Sequence, residues 1–272
     1  MNRTMRDRIL DLVTHHCARI TPSDLKRRMR RDFPSGTAHE WRTALRHLID
    51  TGAVVYTNHF NTTHIELGHT RPIRVSKRIL ISPSNCLFQT DDREVVIKLN
   101  DGAAFGNGDH PTSRLMLQGI DWAMAASPKV LADGMSKAID IGTGNGILSI
   151  AAANLGVSRI IAVDTDPLAR VEANYNINLN RVQDRVVIVE DVNAAAITKN
   201  YDFIFANLRP PTLLALFQRM LAVSVPEGVW VLSGFRAGGH RFIQKGLAGA
   251  GYAVIWQSET CGWGAVALKL KN

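Results

Sequence analysis

Residues 138–166 read AIDIGTGNGILSIAAANLGVSRIIAVDTD, and this stretch restricts the chain to few folds. An apolar strand ends in Asp140 and gives way to a turn, Gly142-x-Gly144-x-Gly146. An apolar helix follows, then a second apolar strand that ends in Asp164. Glycines at a strand-to-helix turn let the backbone approach a ligand where a Cβ would collide. Asp164 stands 22 residues beyond the first glycine, at the tip of the next strand, placed to accept hydrogen bonds from ribose hydroxyls. The pattern predicts an α/β fold built around a nucleoside-binding βαβ unit.

The dinucleotide fingerprint is G-x-G-x-x-G, which aims a helix N-terminus at a pyrophosphate. Here the spacing is G-x-G-x-G and an acid, Asp140, directly precedes the turn. A carboxylate there repels a pyrophosphate but can hold, directly or through water, the ammonium of a methionine moiety. The string DIGTGNG therefore resembles motif I of the class I methyltransferases that use S-adenosylmethionine (SAM). A nicotinamide dehydrogenase is disfavoured by the same two features.

Length and composition bound the remainder. With 272 residues, 46% of them hydrophobic, the chain is long enough for one large domain and a small one. No apolar run approaches the ~18 residues that span a bilayer. The N-terminus MNRTMRDRIL lacks the apolar centre of a signal peptide. Cys17, Cys86 and Cys261 are scattered, without metal-ligand spacing. These features predict a cytoplasmic protein with no membrane association and no metal site.

Charge is uneven. Residues 1–80 carry 15 Lys and Arg against 7 Asp and Glu, whereas the remainder carries 17 of each. The excess is either a solvated basic face or an electrostatic footprint for an acidic partner, nucleic acid first among candidates. Within this segment, Met5, Ile9, Leu12 and Val13 have helical spacing. Thr21-Pro22-Ser23-Asp24 opens a second helix, and Thr37 a third with Trp41, Ala44, Leu45 and Leu48 on one face. AVVYTNHF and THIELG alternate around Asn61-Thr62 as a hairpin would. Three helices and a hairpin are the order of a winged helix-turn-helix. The third helix would then be the recognition element, with the Lys26–Arg31 cluster suited to phosphates. His59, His64 and His69 read as surface residues, because positions five apart in a hairpin strand lie on opposite faces.

Residues 71–100 read as a linker with two or three short strands, and residues 101–272 as the nucleoside-binding domain. The loop AFGNGDHPTS, the turn DIGTGNGILSIAA, the segment VDTDPLARVEANYNINLN and the strand FIFANL occur in this order. That series resembles the PrmA family, the ribosomal protein L11 methyltransferases, over roughly residues 70–272. The resemblance implies SAM as cofactor and a protein amine, a lysine side chain or α-amine, as methyl acceptor. By position it gives cofactor roles to Ser113, Gly142, Asp164 and Asn207. The other candidate cofactor contacts are Phe105 and Thr112 in the loop, Asp140, Gly144 and Gly146 at the turn, and Asp191 at the end of the strand VVIVED. Asn207 is also the residue expected to orient the amine, and His110 a candidate proton acceptor.

Two departures stand out. Residues 1–70 do not resemble the ferredoxin-like module with which the family recognises its ribosomal protein. The family's ANILAGPL reads Ala206-Asn207-Leu208-Arg209-Pro210-Pro211-Thr212-Leu213 here, which alters the acceptor side. The expected partner is therefore a protein, ribosomal or within a ribonucleoprotein, with nucleic acid as a further partner of residues 1–80. The competing readings are an RNA or DNA methyltransferase guided by the winged helix, and a SAM-sensing regulator that binds nucleic acid.

Overall fold

The computed structural model describes residues 4–15, 20–59, 62–68, 72–84, 91, 93–100, 108, 110–193, 200–247 and 250–270. It comprises two compact units, Met1–Pro72 and Ile73–Asn272.

The first unit contains α1 (Met5–His15), α2 (Pro22–Asp32), α3 (Ala38–Asp50), β1 (Val54–His59) and β2 (Thr62–Leu67). Both α2 and α3 start at capping boxes: Thr21 with Asp24, and Thr37 with Glu40, each threonine and acid satisfying the other's backbone N–H. The apolar stripes of the helices meet in one core of Ile9, Leu12, Leu25, Met29, Leu45 and Leu48. Arg8 ties α1 to α2 through an ion pair with Asp32 at 2.7 Å. The strands form an antiparallel hairpin from Val54 opposite Leu67 to His59 opposite Thr62. The elements thus follow the order read from the sequence.

The second unit begins with β3 (Ile73–Arg74), β4 (Ile79–Pro83) and β5 (Val95–Leu99), which form a small sheet of their own. Next come α4 (Pro111–Ala126), α5 (Pro128–Ala132), β6 (Lys137–Ile141), α6 (Ile147–Asn154), β7 (Arg159–Val163), α7 (Pro167–Leu179) and β8 (Val186–Val189). β9 (Tyr201–Asn207), α8 (Pro210–Val223), β10 (Ser224–Arg236), α9 (Arg241–Gly246), β11 (Tyr252–Thr260) and β12 (Trp263–Leu270) complete it. Seven strands build one sheet in the order β11-β12-β10-β9-β6-β7-β8. The pairs from β10 to β8 are parallel, and β12 runs antiparallel to both its neighbours.

Both faces of this sheet are covered, which explains why its strands read as unbroken apolar runs. Alternate residues go to opposite sides: Ala138, Phe203, Phe205 and Val231 pack with α4 and α6, whereas Ile139, Ile204, Trp230 and Leu232 pack with α8 and α9. Among the described residues, no helix is long and apolar enough to cross a membrane.

Candidate active site

From β6 the chain proceeds to β7 and β8 on one side, and β9 and β10 lie on the other. This reversal opens a crevice at the carboxyl ends of β6 and β9, the place where open α/β sheets bind ligands. The glycine turn, Asp164 and Asn207 all emerge at that edge.

Gly142, Gly144 and Gly146 have φ of +77°, +58° and +86°. A Cβ on Gly142 would stand 2.6 Å from Leu208 Cδ2, and one on Gly146 would stand 3.3 Å from Ala173 Cα. At these two positions the close approach is to the protein's own chain, across the crevice in one case and against α7 in the other. Asp164 steadies the same turn: Oδ2 accepts the Gly144 N–H at 2.8 Å and Oδ1 the Asp166 N–H at 3.0 Å. Each carboxylate oxygen has a second lone pair, so acceptor capacity remains for ribose hydroxyls.

Asp140 is fully buried. Its Oδ2 accepts hydroxyl hydrogen bonds from Thr143 at 2.6 Å and Ser149 at 2.7 Å. Burial pushes the carboxyl up to about 6, against the opposing pull of those two hydroxyls. Asp140 Oδ1 and the buried Ser113 Oγ have no hydrogen-bond partner among the described residues. A ligand that carries an ammonium group and further donors fits this unused capacity.

At the first turn of α4, His110 is the N-cap and its Nδ1 accepts the Thr112 N–H at 3.3 Å. With Nδ1 as acceptor, the Thr112 hydroxyl 2.7 Å away donates to it. Asn207 Nδ2 in turn donates to Thr112 Oγ1 at 3.1 Å. The chain Asn207 to Thr112 to His110 fixes the amide so that Oδ1 is the end left for another donor. Burial, and secondarily the charge of Arg236, hold His110 below its usual range. Arg236 lies 4.2 Å over the Trp263 ring, which meets His110 edge-on at 5.0 Å. Asp191 follows β8, where its carboxylate accepts from Asn193 N and Nδ2, contacts that lower its pKa. Phe105 lies outside the described residues.

Sequence reasoning missed several supports. Thr143 and Ser149 hold Asp140, and their signal was a hydroxyl in the glycine turn and another in the apolar helix that follows. Asn176 donates to Asn145 O at 3.0 Å and accepts the Asn100 N–H at 3.0 Å, and Asn180 bonds both ways with Lys98 in β5. Asn176 in α7 and Asn180 at its C-cap, four apart, were the available clue. Trp263 reads from sequence as packing, and nothing local links it to His110 or Arg236.

Comparison with known proteins gives a consistent result. Residues 63–271 match the family described as ribosomal protein L11 methyltransferase (PrmA). The ribosomal protein L11 methyltransferase of Geotalea daltonii is 31% identical over 210 residues, 74% of this chain and 65% of that protein. That of Trichlorobacter lovleyi is 35% identical over 180 residues, 66% of this chain and 58% of that protein. The chain therefore spans less than two thirds of the length of these relatives. The crystal structure of a ribosomal protein L11 methylase from Lactobacillus delbrueckii subsp. bulgaricus aligns with a TM-score of 0.64 at 27% identity. That alignment covers 74% of this chain and 99% of the other.

Proposed function

Because this chain belongs to the ribosomal protein L11 methyltransferase (PrmA) family, we propose that it transfers a methyl group from SAM to a protein amine. Its second unit has the class I, Rossmann-like methyltransferase fold. The acceptor is a lysine side chain or α-amine on a ribosomal protein or within a ribonucleoprotein, and the reaction is cytoplasmic. The observation that carries the reading is the Asn207–Thr112 hydrogen bond, which leaves Asn207 Oδ1 to receive an amine N–H.

SAM supplies a methyl group on a sulfonium, open to direct displacement. The residues of the chain bind, align and deprotonate. Asp164 would accept from the ribose hydroxyls, Asp191 from the adenine amino group, and Asp140 would hold the methionine ammonium. Gly142, Gly144 and Gly146 would form the turn beside the nucleoside, while Ser113 and Thr112 stand at the first turn of α4. Asn207 Oδ1 orients the amine lone pair toward the methyl carbon, and such alignment accounts for much of the rate. His110 Nδ1, kept unprotonated, receives the ammonium proton through the Thr112 hydroxyl. Arg209, exposed at the N-cap of α8, and Pro210 behind it border the acceptor side. The first unit, in our reading a winged-helix-like module, takes the docking role.

The test is methyl transfer from tritiated SAM into a ribosomal fraction. Label in a protein band that survives nuclease, is lost to protease and is absent with Asp164→Ala supports the proposal. Label lost to nuclease would make the substrate a nucleic acid. Tight SAM binding with no label in any fraction would make the protein a sensor.

A further inference from the structure

The basic residues of the first unit are not equivalent. In α2, Arg27 pairs with Asp24 and Arg31 with Asp32, so part of the Lys26–Arg31 run is neutralised by its own helix. A different set of cations converges on a groove of about 610 Å³ between the first turn of α2, α3 and β1. Lys26, Arg42 and Arg46 line it together with Trp41 and Tyr56, and no carboxylate does among the described residues. Arg42 and Arg46 are one helical turn apart, which places both on one face of α3. The Arg42 guanidinium lies 5.6 Å from the Trp41 ring centroid. Tyr56 is 52% exposed, so its ring stands open to solvent on the lining of the groove.

We propose that this groove binds a single strand of nucleic acid, with phosphates on Lys26, Arg42 and Arg46 and a base stacked on Tyr56. Three clustered cations without an acid among them suit a backbone that bears one charge per residue. An exposed ring beside them adds a platform that only an unpaired base can use, because a duplex hides its base faces. An acidic peptide would engage the cations but would leave Tyr56 without a role. The inference differs from insertion of α3 into a major groove. It rests on reading the first unit as a docking module, and it is independent of methyl transfer.

The experiment is fluorescence anisotropy of the full chain with a labelled RNA strand of about 12 nucleotides. The matched duplex and oligoglutamate are titrated in parallel, over a salt series. The strand is expected to bind more tightly than either alternative. Combining Lys26→Ala, Arg42→Ala and Arg46→Ala should flatten the logarithmic salt slope by about 2, at roughly 0.7 for each phosphate no longer neutralised. Tyr56→Ala should weaken binding roughly 5- to 150-fold while Tyr56→Phe retains it. Circular dichroism melting checks that each variant folds. An unaltered salt slope, an unaltered affinity of Tyr56→Ala, or tighter binding of duplex or oligoglutamate would each overturn the proposal. None of these outcomes bears on whether SAM-dependent label reaches a protein.

Discussion

Asn207 and Thr112, 95 positions apart, meet at 3.1 Å, with the amide Nδ2 donating to the threonine Oγ1. The bond joins the end of β9 to the first turn of α4 and sets which end of the amide is left for another donor. Thr112→Val removes both the acceptor that holds the amide and the hydroxyl through which His110 receives the proton. We expect kcat to fall at least about fivefold, the loss from about 1 kcal/mol of orientation alone, with Thr112→Ser restoring the rate. An unchanged kcat would remove both the Asn207 orientation and the Thr112 relay from the mechanism.

The proposed ammonium contact makes Asp140 a link between cofactor binding and pH. Its carboxyl is raised from 3.8 to about 6 by burial, so the native state holds a proton that the unfolded chain has released. Its contribution to stability therefore declines as pH rises from about 4 to about 6. An ammonium brought to Asp140 favours the carboxylate instead, so SAM binding should expel that proton. Affinity for SAM should increase with pH by up to about tenfold per unit and level off above about 6. Calorimetry in buffers of different ionisation enthalpy reads the proton release directly. Asp140→Asn should abolish it, and a flat profile in the unmodified protein would detach Asp140 from the ammonium.

His110 is held low first by burial and second by the Arg236 charge. A lowered histidine remains neutral to more acidic pH, which extends the active range downward. Arg236→Gln removes the smaller cause, so the acidic limb of kcat/KM should move to higher pH and the basic limb should not. Nuclear magnetic resonance titration of His110 should report a shift in the same direction. A moved titration with an unmoved kinetic limb would exclude His110 as the proton acceptor.

Gly142 is constrained twice, by a φ of +77° and by Leu208 Cδ2 at 2.6 Å from where a Cβ would stand. Gly142→Ala should cost about 1–3 kcal/mol, close to 2–4 °C of melting temperature for each kcal/mol in a domain of this size. Adding Leu208→Ala should recover little, because Leu208 Cδ2 is the end of a side chain that can turn aside, and the backbone part should remain. Full tolerance of Gly142→Ala would show that the turn can relax, contrary to both constraints.

Much of the fold was legible because it is written locally. The Thr21 and Thr37 caps, the stripe of Trp41, Ala44, Leu45 and Leu48, and the hairpin after Gly52 follow from turn chemistry and periodicity within a few residues. The same holds for the glycine turn and Asp164, whose spacing is the length of one βαβ unit. The places of the turn, of Asp164 and of Asn207 at strand ends were accordingly legible. Their supports were not. Asn176 and Asn180 reach the backbone of another sheet, and Thr143 and Ser149 matter only because Asp140 is buried beside them.

What the sequence determined by itself was the class of fold, the glycine turn, the family and the uneven charge of the first 80 residues. Backbone preferences and hydrophobic period act over one turn or one strand, so a single chain segment expresses them. Tertiary structure decided that β9 lies beside β6, that Thr112 meets Asn207, and that Arg236 and Trp263 flank His110. It also separated the paired arginines of α2 from the cations that share a groove with Tyr56. Those relations arise when two covered faces of a sheet and a small helical core bury their apolar surface, which brings residues far apart in sequence to fixed distances in space.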